Sequence, residues 1–448
     1  MKVEQFEDKN LSHYSYAILN DSREIVLIDP ARDPKPYYNF ASENEAKIIG
    51  VIETHPHADF VSSHLQIHQE TGAKIFVSSI VNAEYSFIAF DEGAVLEFGD
   101  VKLKSLNTPG HSPDSISVVL EHELKDVAVF TGDTLFIGDC GRPDLREKGE
   151  DLNLKREELA RKMYSSLRKK LMLLDDDVTV YPAHGAGTLC GKALSKASSS
   201  TIGAEKLANW SLQQMSESEF ISALTADQPF IPRYFPYDVD LNKKGAPFLH
   251  ESLVKVTSGR KIDSAEQAAL LDPEVLIVDT RNSEVFKKRH LKNSLNIMDG
   301  EKFETWLGTL VAPGDLFYLA GANDKVLTAL TERIAKIGYE PFIKEAFVLD
   351  FGDEVSDILN FIEFKEDPSA YTIVDIRNES EAREKPAFQE AINIPLPELA
   401  QRFSEIPIDK PVVVHCAGGY RSAAGSSLLE SRLDAKVYDL SDDIKEFY

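Results

Sequence analysis

Short apolar runs broken by polar turns fill the first half of the chain. Residues 16–19 and 25–28 are two such runs around Asn20, Asp21 and Ser22, the pattern of a β-hairpin, and Asp29 and Pro30 end the second. A helix near 41–45, a strand over 48–53, a helix after Phe60 and a strand over 74–78 follow, an alternation that predicts an α/β architecture. Further strands are expected at 101–106, 115–120 and 127–131, then a helix over 155–173 and a strand at 178–181. Between Phe235 and Pro247 the apolar period is lost, so residues 1–235 read as one domain and 236–254 as a linker.

Beyond the linker the chain repeats itself. Ile277-Val278-Asp279-Thr280-Arg281-Asn282 returns as Ile373-Val374-Asp375-Ile376-Arg377-Asn378, and Leu295-Asn296-Ile297 returns as Ile392-Asn393-Ile394. The near-constant offset implies two copies of one small strand-helix-strand domain with a parallel sheet, at 255–352 and 353–448. A chain of 448 residues agrees with several domains of about 100–200 residues each.

Composition narrows the function. With 43% hydrophobic and 27% charged residues the chain has material for several cores, which argues against disorder. A net charge of -25 with no basic stripe argues against a nucleic-acid partner. The opening residues lack the basic and apolar regions of a signal peptide, and no apolar run is long enough for a membrane span, so the expectation is cytoplasmic, without a membrane partner. Three cysteines, Cys140, Cys190 and Cys416, suit free thiols in a reducing compartment better than a disulfide framework. A homo-oligomer is expected.

Three motifs carry metal chemistry. His55, His57 and Asp59 lie within five residues, directly after an apolar strand. His111 follows Thr108-Pro109-Gly110, Asp133 ends an apolar strand, and His184 stands in Tyr181-Pro182-Ala183-His184-Gly185. In this order and spacing they resemble the metallo-β-lactamase superfamily over nearly all of the first 235 residues. The resemblance implies an αββα sandwich with His55, His111 and Asp133 as metal ligands, and His57, Asp59 and His184 supporting them or lining the pocket. Dinuclear members carry a histidine directly after the aspartate of the first motif, where this chain has Phe60. Two imidazoles and one carboxylate then suit one mononuclear Fe(2+) per chain with open positions for O2 and substrate. The segment 135–144, with Cys140 and Arg142, looks like that of the persulfide dioxygenases, the family of the ethylmalonic encephalopathy protein. It points to a low-molecular-weight thiol persulfide of the glutathione, bacillithiol or coenzyme A type as substrate. Arg142 and Cys140 are expected at that substrate, Arg142 because its planar fork suits an anion, and Cys190 is a candidate sulfur carrier near the iron.

At the other end, an apolar strand runs into Cys416, then Ala417, Gly418, Gly419, Tyr420 and Arg421 at the start of a helix. Small residues at a helix N-terminus let backbone N–H groups surround the sulfur, which favours a nucleophilic thiolate. Four residues separate Cys416 from Arg421, as in a rhodanese loop; cysteine phosphatases, which this loop also resembles, have five. The resemblance implies Cys416 and Arg421 as catalytic and Ala417, Gly418, Gly419 and Tyr420 as substrate-binding. Aligning 315–325 with this loop sets Leu319 opposite Cys416 and Asp324 opposite Arg421, so the first copy is read as inactive.

The whole chain thus resembles a persulfide dioxygenase and sulfurtransferase fusion, in which iron chemistry yields sulfite and Cys416 donates sulfane sulfur to sulfite, giving thiosulfate. Two rivals differ in class. One is a dinuclear Zn thioester hydrolase of the glyoxalase II type with an attached rhodanese, and the other a non-catalytic sulfur-relay protein with a structural metal.

Overall fold

The computed structural model describes residues 1–143, 152–192 and 194–448. Asp144, the last residue of the 135–144 segment, lies outside them. The chain divides into two compact units, Met1–Glu251 with Lys336–Gly338, and Ser252–Ala335 with Tyr339–Tyr448.

In the first unit the alternating strands assemble into two six-stranded sheets. One orders Lys2–Asp8, His13–Leu19, Glu24–Ile28, Lys47–Ile52, Lys74–Val77 and Ile88–Ala89; the other orders Ser200–Thr201, Thr179–Pro182, Lys125–Gly132, Ile116–His122, Val101–Asn107 and Val95–Phe98. Period-two alternation decides which side chains meet. Tyr16, Ile18, Val26 and Ile28 of the first sheet and Leu103, Val118, Leu120 and Phe130 of the second fill the space between them. The opposite faces are apolar too, because helices cover both. Ala17, Leu27 and Val51 pack against Tyr37 and Phe40 of helix Lys35–Glu43, and Val119, Val129 and Val180 against Ala160, Met163 and Leu167 of helix Leu152–Lys169. The result is the expected αββα sandwich. Sequence placed the first helix late: it starts at Lys35, with a proline in its first turn, where the missing N–H costs nothing.

The stretch 236–254, expected to be a linker, is folded. It holds helices Phe235–Lys244 and Leu249–Leu253, and Phe235, Asp238, Val239 and Asn242 of the first are buried.

The second unit contains two parallel sheets. The first orders Arg260–Ile262, Ile343–Leu349, Phe317–Gly321, Leu276–Asp279 and Ser294–Asn296; the second orders Ile392–Asn393, Thr372–Asp375, Val412–His415 and Val437–Asp439. The two copies share a buried clamp at the end of one strand. Arg281 donates to both carboxylate oxygens of Asp279 while Asn296 Nδ2 donates to the carbonyls of Asp279 and Arg281. Arg377, Asp375 and Asn393 repeat every one of these bonds.

Strand register corrects the sequence alignment of the copies. Asp279 pairs with Ala320, and Asp375 with His415, so the residue after His415 answers to the residue after Ala320. The counterpart of Cys416 is therefore Gly321, not Leu319, which lies buried inside its strand opposite Val278. Asp324 begins the following helix, as Tyr420 does in the other copy, so Lys325 rather than Asp324 stands at the position of Arg421.

Candidate metal centre and cysteine loop

The metal candidates all follow strands whose carboxyl ends lie on one side of the sandwich: His55 after Lys47–Ile52, His111 after Val101–Asn107, Asp133 after Lys125–Gly132 and His184 after Thr179–Pro182. The turn after Gly132 is tight. Gly132 has a left-handed φ of 52°, and a Cβ there would sit 2.6 Å from Thr54 Oγ1. Asp133 Oδ2 lies 3.8 Å from His55 Nε2 and 3.5 Å from His111 Nε2, while its Oδ1 lies 3.5 Å from His184 Nε2, which is 3.4 Å from Asp59 Oδ2. One carboxylate thus faces two clusters: His55, His111 and Asp133 offer ligand atoms within 4.8 Å of one another, and so do His57, Asp59 and His184.

The residues behind the ligands fix their tautomers. The Thr54 hydroxyl donates to Asp29 Oδ2 at 2.8 Å, so across the 3.0 Å contact with Thr54 Oγ1 the His55 Nδ1–H is the donor. His111 Nδ1 donates to the Arg142 carbonyl at 2.8 Å. Each imidazole therefore turns an Nε2 lone pair toward Asp133, as a metal requires. Burial works against the Asp133 charge, but His184, His111 and His57 prevail and hold its carboxyl below the ordinary range. His111 Nε2 is buried without a hydrogen-bond partner, and a cation held with His55 and Asp133 would satisfy it. The residues fit a metal ion.

His57 is drawn another way. Its Nε2 is 3.1 Å from Asp29 Oδ1; burial alone would lower its pKa, but Asp29 raises it to about 9. Phe60 stacks close by, its ring 4.3 Å from that of His57 and 3.8 Å from that of His13. Asn242 ties this loop down: its Nδ2 donates to the carbonyls of His57 and Phe60, both at 2.8 Å, and its Oδ1 accepts from Ser62 N at 2.8 Å.

In the second unit Cys416 follows the buried strand Val412–His415 and precedes helix Tyr420–Glu430. Its side chain is buried, Ala417 and Gly418 are exposed, and Gly419 takes a left-handed φ of 88°. Arg421 is held by Glu381 through two bonds of 2.7 and 2.8 Å.

Residues 9–184 match the metallo-beta-lactamase superfamily and residues 360–448 the rhodanese-like domain. The chain joins a metallo-β-lactamase domain to a C-terminal rhodanese domain. It is 30% identical over 167 residues to the mitochondrial persulfide dioxygenase ETHE1 of Homo sapiens, an alignment that takes in 37% of this chain and 60% of that one. It is 32% identical over 176 residues to the cytoplasmic hydroxyacylglutathione hydrolase of Arabidopsis thaliana, over 38% and 63% of the two chains. The chain thus spans about three fifths of the length of these curated relatives. A crystal structure of a metallo-beta-lactamase from Staphylococcus aureus subsp. aureus COL superposes with a TM-score of 0.67 at 29% identity, covering 78% of this chain and 99% of that one.

Within the metallo-β-lactamase domain, the structure places Cys140 and Arg142 otherwise than expected from sequence. Cys140 does not line a pocket: it lies among Val129, Leu135, Ile137 and Met163 in the apolar cluster under the second sheet, and burial, then Asp139, pushes its thiol pKa well up. Arg142 is a brace. It is 2% exposed, its Nη1 donates to the carbonyls of Pro229 and Phe230, and its backbone N donates to Cys190 O while its carbonyl serves His111. The glycine between them is required, since a Cβ on Gly141 would sit 1.9 Å from the Asp133 carbonyl. Cys190, in contrast, does reach the centre and groups with Asp133 and His184. Burial first, then Asp59 and Asp133, raise its thiol pKa well above the usual value.

In the rhodanese domain, the Tyr420 side chain is engaged outside the cysteine loop. Its hydroxyl donates to the Met298 carbonyl at 2.7 Å, in the neighbouring copy. Sequence missed Asn242 and Glu381. Only Glu381 left a trace, as the third helical residue after Asn378 in a capping box.

Proposed function

We propose that the metallo-β-lactamase domain is a non-heme Fe(2+) persulfide dioxygenase and that Cys416 couples it to thiosulfate formation. The observation that carries this reading is Phe60, packed on His57 and His13 where a dinuclear site would need another imidazole. That favours one ion on His55, His111 and Asp133, and the similarity to the human persulfide dioxygenase supports the substrate class. Iron, when bound, supplies the binding and activation of O2.

The proposed balance is RSSH + O2 + H2O → RSH + SO3²⁻ + 2H⁺, the terminal sulfur giving up four electrons and O2 accepting them. Asp133 and the two Nε2 lone pairs hold the ion, His57, Asp59 and His184 shape the polar side of the pocket, and Cys190 lines it as a sulfur acceptor. At the second site, a persulfide on Cys416 passes its outer sulfur to sulfite: the S–S bond to Cys416 breaks, a bond to sulfite sulfur forms, and the Cys416 thiolate leaves. Arg421 supplies positive charge beside the anions. The thiol carrier is of the glutathione, bacillithiol or coenzyme A type, and the protein works as a cytoplasmic homo-oligomer in sulfide detoxification.

One observation favours a second reading. His57, Asp59 and His184 still cluster across Asp133, as a second Zn ion of a hydroxyacylglutathione hydrolase would need, and the Arabidopsis relative carries that name. The test loads the chain anaerobically with Fe(2+) or with Zn, measures metal per chain, and follows oxygen consumption on glutathione persulfide beside hydrolysis of a hydroxyacylglutathione. One iron per chain with oxygen uptake is expected; two zincs with thioester hydrolysis would overturn the reading.

A further inference from the structure

The loop around Cys416 has little of its own to hold it. Ala417 and Gly418 are exposed, and a Cβ on Gly418 would meet nothing within 4 Å. Sulfur transfer nevertheless needs the Cys416 sulfur and its surrounding donors in fixed register, since misplacement by about 1 Å can cost on the order of a hundredfold in rate. Glu381 fixes Arg421 from within the same copy. Each of the remaining supports includes a residue of the copy that has Gly321 in place of a nucleophile.

The first support is Tyr420, four residues from Cys416. Besides donating to Met298 O, its ring packs so closely on Gly300 that a Cβ there would lie 2.5 Å from Tyr420 Cε2. The turn it meets is rigid: Arg333 donates to Gly300 O, to Asp299 and to the buried carboxylate of Glu304, all at 2.6–2.9 Å. A second support reaches the loop from behind. Lys287 pairs at 2.8 Å with Asp439, which accepts from the backbone and hydroxyl of Ser441, and Ser441 backs directly onto Gly419. A third fixes the helix itself, where Asn296 N donates to Ser427 Oγ at 3.0 Å.

We propose that the nucleophile-free copy, residues 255–352, positions the cysteine loop of its neighbour, with Tyr420 as the positioning residue. Ordinary domain adhesion would also use such contacts, but it would affect stability alone. Positioning predicts that disturbing the 298–300 turn changes the reactivity of Cys416 in a fully folded chain. This rests on the proposed sulfur transfer by Cys416.

The experiment uses the full chain with Gly300→Ala, which intrudes on the Tyr420 ring from the far side, and Tyr420→Phe, which removes only the hydroxyl. Three quantities are read: sulfur transfer from thiosulfate to cyanide, the pH profile of Cys416 alkylation by iodoacetamide, and folded fraction by circular dichroism. Gly300→Ala is expected to lower kcat/KM for transfer by roughly tenfold and to shift the alkylation profile, with Tyr420→Phe smaller in the same direction and oxygen uptake unchanged. Wild-type transfer and alkylation in both folded variants would overturn the inference, as would losses that merely track unfolding. A wild-type chain that transfers no sulfur, yet whose alkylation profile shifts in the variants, would refute the proposed function and keep the positioning role.

Discussion

Asn242→Ala should be among the most damaging single changes far in sequence from the metal ligands. Asn242 is 2% exposed and serves three partners, the carbonyls of His57 and Phe60 and the N–H of Ser62. Truncation leaves two acceptors and one donor buried without it, at about 1–3 kcal/mol per orphaned group. Water entering the vacated space recovers part of this, so the expected net loss is about 3–5 kcal/mol, at the severe end for one substitution. For a unit of this size each kcal/mol moves the midpoint by about 2–4 °C, so its melting transition should fall by roughly 10 °C. The loop released carries His55, His57 and Asp59, so metal retention should fall with it. The assay is urea unfolding followed by a probe in the first unit, with metal analysis after dialysis against a chelator. A stability loss below about 1 kcal/mol with full metal content would mean that the loop holds itself and that the reasoning is wrong.

Replacing His55, His111 or Asp133 by Ala should each abolish stoichiometric iron binding and oxygen uptake, because a three-ligand site has none to spare; any one variant that keeps a full complement of iron would exclude that residue as a ligand. Cys416→Ser should leave oxygen uptake intact while product chromatography shifts from thiosulfate to sulfite, and unchanged thiosulfate would move suspicion to Cys190. Adding Gly321→Cys to Cys416→Ser should not restore transfer, since a Cβ at 321 meets Leu327 at 2.8 Å, and restored thiosulfate chemistry would refute this. Burial pushes the Glu430 carboxyl up to about 7 from an ordinary 4.5, against a hydrogen bond from Ser356. With the folded value raised, the unfolded chain loses this proton first as pH rises. Glu430 therefore lowers the stability of the second unit progressively as pH rises from about 4.5 to 7, the full loss remaining above that, and Glu430→Gln should flatten that slope in denaturant titrations.

The sandwich was legible because its strands are short apolar runs set off by polar turns, and several are followed by residues that chemistry demands, such as Asp29, His55 and Asp133. The ligand clusters were legible for the same reason. What failed was local. The 235–244 helix is short and begins with Phe235-Pro236, so its period was too brief to separate from a loop, and the partners of Asn242 lie some 180 residues away. Leu319 was set against Cys416 because its loop is one residue shorter and carries no cysteine to mark the strand end, which only backbone pairing fixes. Cys140 was assigned by resemblance and Arg142 by resemblance and its fork-shaped guanidinium, while the structure buries both in the scaffold of the domain. Tyr420 sits in the cysteine loop by sequence, and nothing in one dimension says that its hydroxyl points elsewhere.

The clamp of Asp279, Arg281 and Asn296, repeated as Asp375, Arg377 and Asn393, uses neither Cys416 nor any residue of its loop. Loss of the nucleophile in one copy therefore leaves its strand-end scaffold intact, and the chemistry behaves as an exchangeable cartridge seated on a retained frame. A transplant of 416–421 into the first copy, with a carboxylate introduced to meet the incoming arginine and Leu327→Ala to admit the cysteine Cβ, would land on the same strand-end clamp.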